Sequence, residues 1–176
     1  SSANHIFDLT VGYASGSDFQ DSSNVQDQKK INIYNQMAQV LVGYDVTGNI
    51  QQFDLDGNLG GGPKMDSCFF INFARLLTKD EIKKDSFRFD FFSNCPTASA
   101  FDPTARAGSI TIGDYGAQTS YLTNSPAGEY GLLYTGSAAV NGTEVGHIYY
   151  QAGVVVLTSS IVDTGAATTT TASAPS

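Results

Sequence analysis

The segment from Cys68 to Leu77 constrains the fold more than any other part of the sequence, because both of its alternating faces are apolar. The two faces carry Phe69, Ile71 and Phe73 on one side and Cys68, Phe70 and Ala74 on the other. Successive side chains of a strand point to opposite sides, so such a strand needs cover on both faces of its sheet. The sequence therefore predicts a central strand between two packed layers.

Shorter strand-like runs separated by turn residues lie on both sides of this segment. They are residues 5–13, 49–53, 87–91, 109–112, 120–123, 130–135, 145–151 and 153–158. Asn141-Gly142, between two of these runs, is typical of a two-residue hairpin turn. Charged residues make up only 15% of the chain and glycine is frequent, which also favours short strands and many turns. We expect a mainly β fold, a β-sandwich or a jelly-roll-like domain.

One segment has a helical period instead. Between residues 29 and 44 apolar side chains recur at steps of three and four, at Ile31, Tyr34, Met37, Ala38, Leu41 and Tyr44. This spacing places them along one side of a helix. The sequence predicts one inserted amphipathic helix at about 29–44, whose apolar stripe lies on a sheet or on a partner.

The chain of 176 residues has the length of one domain. We expect a single β-rich domain over residues 1–163. Residues 164–176 contain Ala, Thr, Ser and Pro around a single Gly and no large apolar side chain. Such a composition cannot form a core, so it predicts a tail or linker.

The charge distribution argues against nucleic acid and membrane partners. The formal net charge is −8, and no Lys or Arg follows Arg106. Proteins that bind nucleic acid neutralise phosphates with clustered Lys and Arg, and the basic residues between Arg75 and Arg88 are interleaved with acids. No run approaches the roughly 20 apolar residues that a membrane helix requires. We expect no nucleic acid and no membrane among the partners.

The sequence shows no convincing reaction centre, so we expect no catalytic residue and no enzymatic activity. A serine nucleophile needs a nearby base, and the two histidines are His5 and His147. The alternation around His147 predicts a structural residue on the face of a strand. Cys68 and Cys95 lack the spacing of a zinc or redox motif, which leaves two buried thiols or a bridge between strands as alternatives.

Asp54-Leu55-Asp56-Gly57-Asn58 resembles a calcium-binding loop weakly. With Gly57 at the invariant glycine position, Asp54 and Asp56 occupy ligand positions, but Gln52 opens the loop and Pro63 stands in place of the bidentate Glu. A tight turn is the main interpretation. A weak Ca²⁺ site at Asp54 and Asp56 is the alternative, and we expect no other cofactor.

Nine tyrosines raise a second alternative, a sugar-binding surface, because aromatic rings stack on sugar rings and their hydroxyl groups form hydrogen bonds. Tyr13, Tyr115 and Tyr121 are the candidates for such a surface. Tyr149 and Tyr150 are adjacent in a predicted strand and therefore point to opposite faces. At least one of these two rings belongs to the core.

Several stretches resemble structural proteins of tailed bacteriophages, in particular marine and cyanobacterial myovirus-like ones. They are Phe7–Tyr13 with the predicted helix, Phe69–Lys84, Gly128–Gly131 and Tyr150–Val155, and the likeness covers most of residues 5–162. The resemblance implies a non-catalytic virion module in a tail, baseplate or fibre, with capsid decoration as an alternative. It implies assembly in the host cytoplasm and location in the extracellular particle.

A virion role implies repeated copies and contacts with other virion proteins. Such interfaces need apolar or aromatic residues on the surface of the single fold. The helix stripe and the strands around 145–157 are the expected donors. The interface candidates are Tyr34, Leu41, Tyr44, Tyr149 and Val155, and a host-surface glycan is the alternative partner.

Overall fold

Seven antiparallel strands form one sheet in the computed structural model, which describes residues 6–16, 25–74, 81–94, 107–136 and 142–161. The strands are β1 (Phe7–Tyr13), β2 (Ser67–Phe73), β3 (Arg88–Asn94), β4 (Ala107–Gly113), β5 (Tyr130–Thr135), β6 (Glu144–Tyr149) and β7 (Val154–Thr158). Their order across the sheet is β1-β2-β7-β6-β5-β4-β3. The predicted mainly β, sandwich-like fold is confirmed.

The sheet is curled, so that its two outermost strands approach each other. The Phe7 ring on β1 packs against Phe89 on β3 at a centroid distance of 6.2 Å, although the other five strands separate β1 from β3 in the sheet. The curl encloses an inner core of aliphatic and aromatic side chains. Its fully buried members include Ile71, Ile112, Leu133, Ile148, Tyr150, Val155 and Leu157.

The outer face of the sheet is covered by helix α1 (Val25–Leu41) and by the long segment 42–66 that follows it. This outer core includes Tyr34, Ala38, Leu41, Phe53, Met65, Cys68, Phe70, Tyr130, Tyr149 and Val156. Phe70 and Ile71 are adjacent on β2, belong to different cores and are both buried. The predicted double coverage of this strand is therefore confirmed.

Helix α1 contacts β1 at a glycine. A Cβ at Gly12 would lie 2.9 Å from the backbone nitrogen of Tyr34 and 3.0 Å from the carbonyl oxygen of Lys30. Contacts this close to main-chain atoms cannot be relieved by turning a side chain. The absence of a side chain at residue 12 thus allows α1 to lie directly on the sheet.

The predicted bounds of the helix, 29–44, were wrong at both ends. Helix α1 begins at Val25 and ends at Leu41. The backbone nitrogens of Val42 and Gly43 both donate to the carbonyl of Ala38, and Gly43 has a φ of 81°. This is the usual glycine termination of a helix, and it places Tyr44 in the turn beyond.

Two predicted strands are not strands. Residues 120–123 span the end of a short helix, α2 (Ala117–Ser120), and an isolated bridge between Leu122 and Tyr130. In residues 49–53, the structure has an isolated bridge between Ile50 and Tyr44. His5, Cys95, Asn141 and the predicted tail lie outside the described residues. Within those residues, the structure contains no helix long and apolar enough to span a membrane.

Candidate functional site

Four of the five predicted interface residues are buried within the chain. Tyr34, Leu41, Tyr149 and Val155 are each at most 1% exposed, whereas Tyr44 is 54% exposed. The helix stripe therefore packs on the chain's own sheet and not on a partner. The Tyr34 hydroxyl donates to the Met65 carbonyl at 2.8 Å, which fixes this ring in the outer core.

Two exposed apolar regions lie elsewhere. Ile6, Phe7 and Leu9, at the beginning of β1, are 56%, 38% and 54% exposed. We call this set the β1 patch. The second region comprises Tyr44 and the fully exposed Val46, in the turn after α1. The alternation of residues 5–13 predicted the strand, but sequence alone did not indicate that β1 would lie at the edge of the sheet.

The loop from Asp54 to Lys64 contains a partly buried ion pair. Asp54 is completely buried, and its Oδ2 atom accepts a hydrogen bond from Lys64 Nζ at 2.9 Å. The same ammonium donates to the carbonyl oxygen of Gly60 at 2.6 Å. No group of three or more His, Cys, Asp or Glu side chains among the described residues is placed to hold a metal ion.

The loop is fixed to the sheet through Gly57. Its carbonyl oxygen lies 2.7 Å from the Tyr130 hydroxyl and accepts a hydrogen bond from Asn124 Nδ2 at 3.0 Å. Gly57 has a φ of 71°, and a Cβ at this position would lie 2.6 Å from Leu122 Cδ1. Burial raises the pKa of Tyr130 to about 12, and the Asp54 and Asp56 carboxylates add to the rise.

His147 lies in the core near this loop. Its ring packs against Tyr130 at a centroid distance of 5.3 Å, and its Nδ1 atom is 3.4 Å from the Tyr149 hydroxyl. Burial lowers the pKa of His147 to about 4, against the opposing effect of the nearby Leu55 and Asp54 backbone. The imidazole is therefore neutral at pH 7. Because it is 0% exposed, it is not accessible to a substrate in this conformation.

A second buried carboxylate, Asp114, connects three segments of the inner layer. Its oxygens accept hydrogen bonds from the backbone nitrogens of Phe87 at 2.9 Å and Asp85 at 2.7 Å, and from the Tyr150 hydroxyl at 3.0 Å. Arg88 Nη1 lies 3.1 Å away. Burial raises the pKa of Asp114, and these hydrogen bonds oppose the rise. The carboxylate is thus engaged in holding the chain together.

The three tyrosines considered for sugar binding have separate environments. Tyr13 is buried, with 4% of its surface exposed. The Tyr115 ring lies 3.9 Å from the Arg88 guanidinium, and the Tyr121 ring lies 4.8 Å from Lys84 Nζ. The rings therefore form no common stacking surface in this conformation.

A polar cleft lies between α1 and the segment 45–64. Its volume is about 410 Å³, near the lower end of the range for ligand pockets. Polar groups of Asn35, Asp45, Gln51, Gln52 and Lys64 line it, together with the apolar Ile50 and Leu59. Sequence analysis missed this cleft because its residues come from separate segments that only the fold brings together.

Comparisons with known proteins found no match to this chain among protein-family models, curated proteins or solved structures.

Proposed function

We propose that this chain is a non-catalytic structural module of a tailed-phage particle, in a tail, baseplate or fibre. The observation that carries the proposal is the β1 patch. Ile6, Phe7 and Leu9 are exposed on a chain whose two cores are otherwise closely packed. The resemblance of the sequence to phage structural proteins supplies the biological context.

The position of the β1 patch suits a contact between chains. β1 is the first strand in the sheet order and pairs with β2 alone among the described strands. The Phe7 ring lies on the inner side of the curl, beside the half-buried rings of Phe73 and Phe89, and Leu9 lies opposite Ile71 of the inner core. Apolar side chains at an open edge gain free energy when another chain removes them from water.

Copies of the same chain and other virion proteins are the partners we propose. The chemistry of the patch suits packing, since Asp8 is the one charged residue in β1. A buried polar group elsewhere supports a scaffold role, because the Asp114 carboxylate holds separate segments of the chain together. Capsid decoration remains the alternative location for the same kind of module.

Sedimentation velocity of the purified chain tests this proposal. We expect concentration-dependent oligomers for the wild type and a shift toward monomer for Leu9→Ser. Val25→Ser is the matched control, because Val25 is 70% exposed on α1 and lies outside the patch. The proposal would be contradicted if the wild-type chain stayed monomeric at high concentration and also bound none of the other particle proteins when mixed with them.

A second candidate function, recognition of a host-surface glycan, is favoured by the polar cleft. The Asn35, Gln51 and Gln52 amides line it, and amides both donate and accept hydrogen bonds, as sugar hydroxyl groups do. Titration with host polysaccharide, followed by NMR, tests this function. Binding that is lost in Gln52→Ala and kept in Asn32→Ala, an exposed change on α1, would support it. No shift at millimolar glycan would remove it.

A further inference from the structure

The Asp54 loop has part of the residue pattern of a calcium-binding loop, in a register that differs from the one the sequence suggested and that places Met65 where the bidentate Glu would stand. Asp54, Asp56 and Asn58 are spaced two residues apart. They correspond to the first, third and fifth positions of a calcium-binding loop, which supply side-chain ligands. The sixth position of such loops requires a sharp turn and is normally glycine. Leu59 occupies it here with a φ of 60°, a left-handed conformation that a leucine rarely adopts.

Asp54 provides an independent indication of a ligand. The side chain is 0% exposed, yet its Oδ1 atom accepts no hydrogen bond from any described group. A buried carboxylate oxygen without a partner is costly, so such atoms usually face an ion or a water molecule. This oxygen lies 3.6 Å from the place that a Cβ of Gly62 would take, and Asp56 Oδ2 lies 3.8 Å from the same place. Both carboxylates thus border a space that glycine leaves open, and Asp56 Oδ2 also accepts a hydrogen bond from the Asn58 side-chain amide.

The positively charged side chain of Lys64 already contacts two oxygen atoms of this loop. The Lys64 ammonium contacts Asp54 Oδ2 at 2.9 Å and the Gly60 carbonyl oxygen at 2.6 Å. These are the groups at the first and seventh positions, which supply a carboxylate and a backbone carbonyl to calcium in loops of this kind. Lys64 therefore bridges the same oxygen atoms that a divalent cation would use.

Negative charge exceeds positive charge around the loop. The Lys64 ammonium pairs with Asp54, whereas the hydrogen bonds of the Asp56 carboxylate come from the backbone and side chain of the neutral Asn58. Burial raises the pKa of Glu144, and the charge of Asp56 contributes to this rise. A divalent cation would neutralise the carboxylates more completely than the ammonium does, and hard oxygen donors are the ligands that calcium prefers.

We propose that the loop from Asp54 to Gly60 binds calcium through the Asp54 and Asp56 carboxylates, the Asn58 side chain and the Gly60 carbonyl, and that Lys64 is the internal cation which calcium displaces. Because the Gly57 carbonyl is held by Tyr130 and Asn124, calcium would fasten the outer loop to the sheet. This inference does not depend on the virion role.

Thermal unfolding of the full chain in 10 mM calcium chloride and in EGTA is the first test. A ligand that binds only the folded state raises the Tm, and for a millimolar or tighter site we expect a rise of about 4 °C. Asp56→Ala removes both ligand oxygens of a side chain that is only partly buried, so the fold persists and the calcium response should be lost. Glu81→Gln, an exposed change outside the loop, should keep the response.

Lys64→Gln distinguishes a calcium site from a simple ion pair. Without the competing ammonium, the affinity for calcium measured by titration calorimetry should rise, on the order of tenfold, because ligand charge sets the affinity of such loops. In EGTA the variant should have a lower Tm than the wild type, and calcium should restore it. If neither the wild type nor Lys64→Gln binds calcium at millimolar concentration, the loop is a turn closed by Lys64 and the proposal is wrong.

Discussion

His147 is the residue whose ionisation should affect stability most clearly. Its pKa in the folded chain is about 4, below the ordinary value of 6.5, because the ring is buried. Between these two pH values the unfolded chain binds the proton and the folded chain does not. Stability should therefore fall as the pH drops from 6.5 to 4, by about 3 kcal/mol in total from this residue.

Urea unfolding of the wild type and His147→Gln at several pH values between 4 and 7 measures this effect. The raised pKa of Asp114 and of Glu144 acts in the opposite direction, since a carboxyl that keeps its proton in the folded state stabilises the fold in acid. Subtracting the curve of the variant from that of the wild type isolates the histidine. If the free energy of unfolding had the same pH dependence in both proteins, a lowered pKa of His147 in the folded chain would be contradicted.

For single residues, the sequence predicted which side chains belong to the fold better than it predicted their hydrogen-bond partners. The alternation around His147 indicated a structural residue on a strand face, and the structure places the ring in the core. Asp54 and Asp114 are both completely buried, which the local sequence does not indicate. Asp114 meets the Phe87 nitrogen and the Tyr150 hydroxyl across long stretches of chain, so no local pattern could reveal these contacts.

At the scale of elements, Gly12 determines how closely α1 approaches the sheet. Gly12→Ala places a Cβ against the backbone of Tyr34 and Lys30, so α1 must shift, at a cost of about 1–3 kcal/mol in the free energy of unfolding. Gly61→Ala is the matched control, because nothing lies within 4 Å of a Cβ there. Chemical denaturation should show the loss in the first variant alone, and equal stabilities would contradict the packing argument.

The end of α1 offers a second paired test. Leu41 is 1% exposed and Tyr44 is 54% exposed, although only two residues lie between them in the sequence. Leu41→Asp buries a charge and should cost about 4 kcal/mol or more, whereas Tyr44→Asp should change stability by less than about 0.5 kcal/mol. Circular dichroism and unfolding curves check both values. Tyr44→Asp keeps the fold and thus also reports on assembly, whereas a folded Leu41→Asp would contradict the assignment of Leu41 to the core.

Local patterns predicted the elements and missed some of their ends. The two apolar faces of β2 and the run Tyr130–Thr135 were sufficient to predict strands there. The apolar period of the helix continues to Tyr44, but the backbone of Gly43 ends the helix earlier. Residues 120–123 contain strand-forming side chains, yet Gly116 turns the chain into α2 just before them.

In the molecule as a whole, the curl of the sheet brings its two outermost strands together. Phe7 and Phe89 meet because β1 and β3 lie at opposite ends of a curled sheet, which the spacing of strands in the sequence does not predict. The same arrangement leaves Ile6 and Leu9 exposed. The interface candidates chosen from sequence were large apolar residues, and most of those are needed for the core.

We propose that the chain is a stoichiometric part of a virus particle, a claim that quantitative mass spectrometry of purified particles can decide. The particles should come from the genome that encodes the chain and be separated from soluble host protein on a density gradient. We expect peptides of this chain at a fixed ratio to the major virion proteins, as a repeated structural component requires. Absence of these peptides, or trace amounts that vary between preparations, would contradict the claim.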